Sequence, residues 1–104
     1  MKTILTITLY LLLCFSCNSK IEKASKHFVH KNDYASLQQM IELFPLESDT
    51  SYVIKLIGQP TLKTDFDLRY LLDSVSENRC PIGGVFHFNS KGKIDQKWVG
   101  EICE

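Results

Sequence analysis

The chain has 104 residues, with 12 basic and 12 acidic side chains, so its formal net charge is zero. This balance, without any run of basic residues, argues against a nucleic acid partner, because binding to a phosphate backbone needs a concentration of positive charge. The length also limits the chain to one small domain.

The first twenty residues have the organisation of a secretory signal peptide. Lys2 precedes an apolar run from Ile4 to Phe15, which Ser16 and Cys17 follow. The run is shorter than the roughly 20 apolar residues that a membrane-spanning helix needs. A small residue and then a cysteine after such a run resemble a bacterial lipoprotein signal. We therefore predict that residues 1–16 are removed and that Cys17 is acylated.

Three alternatives to this interpretation exist at the signal. Cys14 is a second candidate for acylation, but bulky Leu13 precedes it, and a signal peptidase pocket favours small side chains. Cys14 and Cys17 also have the C-x-x-C spacing, a redox motif that needs a thioredoxin-like βαβ context. A conventional signal of a soluble secreted protein is the third alternative. A lipid anchor predicts a location in the cell envelope. We expect the outer membrane, with the protein facing the periplasm. The inner membrane and the cell surface remain open as alternatives.

Residues 17–31 are polar and rich in lysine, and they show no sustained periodicity. We predict a flexible tether there and a folded domain over residues 32–104. Asn32 or Asp33 can cap a first helix, and Pro45 ends it. Its apolar residues recur at helical spacing: Leu37, Met40, Ile41 and Phe44.

A second, short helix is predicted before Gly58. Ser48 or Asp49 can cap it, Gly58 can close it in a left-handed conformation, and Pro60 prevents its continuation. Its apolar face would consist of Tyr52, Val53, Leu56 and Ile57.

After Pro60 the apolar period changes to two, which predicts three antiparallel strands. The strands fall at about residues 66–73, 83–89 and 93–102, and Gly92 supplies the last hairpin turn. The sequence leaves open which parity packs inward, although one set makes the better core: Phe66, Leu68, Tyr70, Leu72, Phe86, Phe88 and Trp98.

Cys80 and Cys103 are the two cysteines outside the signal. In an exported protein such a pair is expected to form a disulfide, with two buried free thiols as the alternative. The hairpin gives a check, because pairing Phe88 or Asn89 with Lys93 places Cys80 opposite residue 101 or 102. Cys103 is then one or two positions away.

The sequence predicts no catalytic residue, no metal and no cofactor. His27 and His30 lie three residues apart, but zinc would need further ligands close by. His87 is expected to be an ordinary strand residue, and no serine lies in a nucleophile elbow. We therefore expect a protein that is not an enzyme.

A sheet with helices on one side has a second face that a partner can bind. The residues of one strand parity mix apolar and charged groups, as protein-binding faces do. This candidate face consists of Arg69, Leu71, Val85, His87, Lys97 and Val99.

Several short motifs occur in an order that resembles the SmpA/OmlA (BamE-like) family of small lipoproteins. They are the Leu56-Ile57-Gly58-Gln59-Pro60 helix end, Arg69-Tyr70, and Val85-Phe86-His87-Phe88 leading to Gly92-Lys93, and together they span about residues 48–100. The resemblance implies an outer-membrane lipoprotein that is a non-catalytic accessory of β-barrel assembly. β-Lactamase inhibitory proteins share that fold, so a membrane-tethered inhibitor or immunity protein that binds a hydrolase or toxin is the alternative.

The sequence as a whole predicts an α+β domain with two N-terminal helices packed on a three-stranded antiparallel meander. Its expected partners are the membrane, through the lipid, and an envelope protein, while the oligomeric state is left open.

Overall fold

The computed structural model describes residues 20–103, so the predicted signal and Cys17 lie outside the described residues. The predicted α+β class, with helices packed on an antiparallel sheet, is confirmed. One more helix and one more strand are present than predicted. The helices are α1 (20–31), α2 (Tyr34–Leu43) and α3 (Thr50–Ile57), and the strands, in the sheet order β1-β2-β3-β4, are β1 (Leu62–Lys63), β2 (Asp67–Val75), β3 (Pro81–Phe88) and β4 (Ile94–Glu101).

Residues 20–31 form helix α1, which differs from the flexible tether that we predicted over residues 17–31. Ile21, Ala24, Ser25 and Phe28 are buried, and Phe28 is only 5% exposed. These four positions follow the i, i+3, i+4, i+7 spacing of an amphipathic helix. The pattern is hard to see in the sequence because only two of the four side chains are large and apolar. Of residues 20–103, no helix is both long and apolar enough to cross a bilayer.

Local hydrogen bonds fix the start of α2 and the end of α3, while Asp49, the N-cap of α3, makes no side-chain capping bond. Asp33 Oδ1 accepts the backbone N–H of Ser36 at 2.9 Å, and the Ser36 Oγ lies 3.4 Å from the Asp33 nitrogen, which together form a capping box. These bonds hold the pKa of Asp33 below its usual value. Gly58 ends α3 with a φ of 91°, and its N–H donates to the Ile54 carbonyl at 2.8 Å.

The core lies between the helices and one face of the sheet, which we call the inner face. Three aromatic rings meet there edge to face: the centroids of Phe44 and Phe86 are 5.2 Å apart, and those of Tyr70 and Phe86 are 6.0 Å apart. Helix α2 approaches β3 closely at Gly84, where a Cβ would overlap the Ile41 side chain. Glycine at this position therefore permits the helix to reach the sheet.

The hairpin between β3 and β4 contains a one-residue bulge that changes which residues of β4 face the helices. Phe88 pairs with Ile94, in one of the two registers that we predicted, but His87 pairs with Gln96. Asp95 is thus an extra residue in β4. The side chain of each later residue in that strand therefore lies on the opposite face of the sheet from the one predicted.

The core prediction is therefore wrong for Trp98, whose side chain is 44% exposed on the other face. It is also wrong for Phe66, which precedes β2 and is 66% exposed. The rest of the predicted set is buried or half-buried in the core cluster: Leu68, Tyr70, Leu72, Phe86 and Phe88.

The same shift in register brings the two cysteines opposite each other. Ile82 pairs with Glu101, and the Ile102 N–H donates to the Pro81 carbonyl at 2.8 Å. One position beyond the Pro81–Ile102 pair, the same ladder places Cys80 opposite Cys103. The two residues form a disulfide, with their Cα atoms 5.1 Å apart.

Candidate partner-binding face

The sheet surface that faces away from the helices, which we call the outer face, is the candidate functional site. Directly paired residues share a face, so the register assigns its members. One row across the sheet runs from Leu62 through Arg69 and Val85 to Trp98. The structure therefore places an exposed aromatic side chain in a row with an arginine and aliphatic side chains.

Four of the six predicted face residues lie together on the outer face. These are Arg69, Leu71, Val85 and His87. Lys97 and Val99 were predicted there wrongly, because the bulge at Asp95 turns them to the inner face. The Lys97 Nζ donates to two backbone carbonyls near the end of α2, and Val99 packs against the core.

Sequence reasoning missed Trp98 as a member of this face. A tryptophan in an alternating strand is expected in the core, and no local signal in residues 93–97 marks the bulge. Trp98 thus takes the place on the outer face that we had predicted for its neighbours, Lys97 and Val99.

One hydrogen-bonded pair and one ion pair form the polar side of the outer face. The His87 Nδ1 lies 2.6 Å from the Asp95 Oδ1, and the Arg69 Nε lies 3.2 Å from the Asp67 Oδ1. All four side chains are partly exposed. Each pair is held by its own contact, and together they form a polar rim beside Val85 and Trp98.

A shallow groove of about 200 Å³ lies at the other side of that row. It is close to Gly83, where a Cβ would overlap the backbone of β2 and crowd the Leu71 side chain. The glycine therefore lets Leu71 lie flat over β3. The groove is lined by Leu62, Arg69, Leu71, Pro81 and Ile102. Its lining is mainly apolar, which suits the side chain of a protein partner better than a charged ligand.

Two other clusters within residues 20–103 could hold a ligand. The sulfur atoms of Cys80 and Cys103 lie near the Glu101 carboxylate, in an arrangement that could hold a metal ion. The sulfurs are bonded to each other, however, and only thiolates are good zinc ligands. A wider groove of about 510 Å³ lies between α1 and α2, where Lys20, Lys23 and His27 contribute to an exposed basic lining.

No family model, curated protein or solved structure matches this chain.

Proposed function

We propose that this protein is a lipid-anchored component of the cell envelope that binds another envelope protein through the outer face of its sheet, and that it catalyses no reaction. The observation that carries the proposal is the exposed Trp98, paired with Val85 and placed in a row with Arg69. Tryptophan and arginine are the residues most enriched at the energetic centres of protein interfaces.

The arrangement around Trp98 supports a protein partner rather than a small ligand. Val85 and Trp98 form the apolar part of the row, one side of them carries the partly exposed His87–Asp95 pair, and the groove beside Leu71 opens on the other side. An apolar centre with a polar rim is the usual anatomy of a protein interface.

The proposed anchor keeps this domain close to the membrane. Only Asn18 and Ser19 separate Cys17 from Lys20, the first described residue of α1. Three peptide units span at most about 11 Å, because an extended residue covers up to about 3.6 Å. A lipid on Cys17 would therefore hold α1 near the headgroups, and a partner would have to be at the membrane too.

Within this proposal, the sequence motifs favour a β-barrel assembly component as the partner, since the SmpA/OmlA family serves that machine. Inhibition of one hydrolase or toxin is the second candidate, and the open sheet face is what favours it. The two candidates differ in the partner and not in the surface used.

Site-specific crosslinking tests the proposal. A photoreactive amino acid at Gln96, which is exposed and lies on the outer face, should capture the partner in intact envelopes. The same substitution at Gln38, an exposed glutamine of α2, is the matched control. Mass spectrometry of the adduct then identifies the partner class. Adducts of equal yield from both positions, or from Gln38 alone, would contradict a partner on the outer face.

A further inference from the structure

Strand β4 is an edge strand, and its first residue is already covered. The Glu47 N–H donates to the Ile94 carbonyl at 2.7 Å, and the Ile94 N–H donates to the Ser48 carbonyl at 2.8 Å. Beyond Ile94, β4 continues to Glu101, and within residues 20–103 the sheet order gives it a neighbour on one side only.

The direction of the backbone groups along this edge follows from the ladder with β3. The Ile102 N–H donates to the Pro81 carbonyl. Because backbone groups alternate in direction along a strand, Ile102, Gly100 and Trp98 direct their N–H and C=O groups towards β3. Lys97, Val99 and Glu101 therefore direct theirs away from the sheet. Over residues 20–103, no backbone hydrogen bond fills these outward positions. The edge is available to pair with an added strand.

We propose that a second copy of this chain occupies the edge, with the two β4 strands antiparallel and centred on Val99. In this register Val99 lies opposite its own copy and can exchange both backbone hydrogen bonds with it. Lys97 lies opposite Glu101 of the second copy, and the reverse pair forms as well. Residues 97–101, the part of β4 that remains open, are thus complementary to themselves in charge.

The side chains at these positions suit the pairing. The Lys97 ammonium donates to the Ile41 carbonyl at 2.5 Å and to the Glu42 carbonyl at 2.9 Å, so one of its three protons remains for the opposing carboxylate. Glu101 is exposed, and its carboxylate accepts a hydrogen bond from Asn78 Nδ2 at 3.4 Å and lies 3.8 Å from the Cys103 sulfur. On the other face Trp98 lies opposite Gly100, which leaves room for the ring.

One of the two neighbouring registers is disfavoured by charge. If the strands were centred on Trp98, Asp95 would lie opposite Glu101 of the second copy, and like charges directly opposite each other destabilise a sheet. Centring on Val99 also relates the copies by a two-fold axis perpendicular to the sheet. The result is one eight-stranded sheet in which both outer faces, with both Trp98 side chains, lie on the same side.

Sedimentation of the full-length protein in detergent tests this dimer. The fraction of protein in the dimer is expected to rise with protein concentration and to fall again on dilution. Glu101→Lys alone, and Lys97→Glu alone, should each raise the dissociation constant about tenfold or more, because both cross-strand pairs become repulsive. An equimolar mixture of the two variants should recover wild-type association, since a copy with lysine at both positions then faces a copy with glutamate at both. Glu77→Lys and Lys91→Glu, at exposed positions off the edge, are the matched charge controls.

Val99→Pro provides a test that does not depend on charge or on the contacts of Lys97. Its lost N–H points away from β3, so the variant should keep the β3–β4 ladder and its thermal unfolding transition while losing the dimer. A wild-type protein that stays monomeric, or a folded Val99→Pro or Glu101→Lys variant that dimerises like the wild type, would overturn the proposal. Failure of the mixture to associate would exclude the Val99-centred register.

Discussion

The Nδ1 atom of His87 lies 2.6 Å from the Oδ1 atom of Asp95, and Asp95 is the extra residue that the β3–β4 ladder accommodates as a bulge. The hydrogen bond thus joins the bulge in β4 to the opposite strand, β3. Because the bulge turns Trp98 to the outer face, it determines which surface a partner can use. Bulges often redirect side chains near functional sites, and this one exposes the aromatic side chain on which the proposed function depends.

Helix α1 is expected to be part of the folded domain rather than a tether. Phe28→Ala should lower the free energy of unfolding by about 3–5 kcal/mol, because the ring is buried in the core cluster. The neighbouring Val29 is 56% exposed, so Val29→Ala should change it by no more than about 0.5 kcal/mol. Denaturant titration of the two variants measures the difference. Equal, small effects would show that residues 20–31 do not pack on the domain.

Ser25 offers a second test of the same helix. Its hydroxyl is buried, and among residues 20–103 it has no hydrogen-bond partner. An unsatisfied buried hydroxyl costs about 1–3 kcal/mol, so Ser25→Ala should raise the free energy of unfolding by about 1 kcal/mol. Ser51→Ala, at an exposed position of α3, is the control and should give a smaller change. A loss of stability in Ser25→Ala would show that the hydroxyl is hydrogen-bonded.

The parts of this fold that the sequence predicts are those that local chemistry determines. Asp33 caps α2, Gly58 ends α3, and alternation marks β2, because each signal depends on a few adjacent residues. Helix α1 was not predicted because two of the residues on its buried face, Ala24 and Ser25, are small and give no visible apolar pattern. The bulge at Asp95 depends on pairing with β3, so its effect on Trp98, Lys97 and Val99 could not be read from β4 alone.

Tyr70 should make the stability of the protein fall at alkaline pH. Burial raises the pKa of its hydroxyl, which donates to the Gly58 carbonyl at 2.8 Å. Since the folded pKa exceeds the unfolded value of about 10, the stabilisation is present below pH 10 and decreases as the pH rises above it. Tyr70→Phe should cost about 1 kcal/mol near neutral pH, and its difference from the wild type should shrink above pH 10.

Urea titrations at several pH values measure this difference. Tyr34→Phe, which changes an exposed tyrosine, is the control and should follow the wild type throughout. A constant difference between Tyr70→Phe and the wild type across the alkaline range would contradict the assigned cause.

The disulfide is expected to supply a large part of the stability of so small a domain. It joins residues 23 positions apart, and in the chain-entropy model a loop of that length is worth about 3 kcal/mol. The double variant Cys80→Ser/Cys103→Ser should lose about that amount in chemical unfolding. Reduction of the wild type with a thiol should reproduce the loss, and it should leave the double variant unchanged. A reduced wild type as stable as the oxidised one would contradict the prediction.

The most direct test of the central claim compares two aromatic residues that are equally exposed. Trp98 lies on the outer face and Tyr34 on α2, and each side chain is 44% exposed. The measurement is the affinity of Trp98→Ala and of Tyr34→Ala for the envelope protein captured from Gln96. A central interface residue contributes about 2 kcal/mol or more, so Trp98→Ala should weaken binding about 30-fold, while Tyr34→Ala should stay within about twofold of the wild type. Equal effects of the two substitutions, or an unchanged affinity in folded Trp98→Ala, would contradict binding through the outer face.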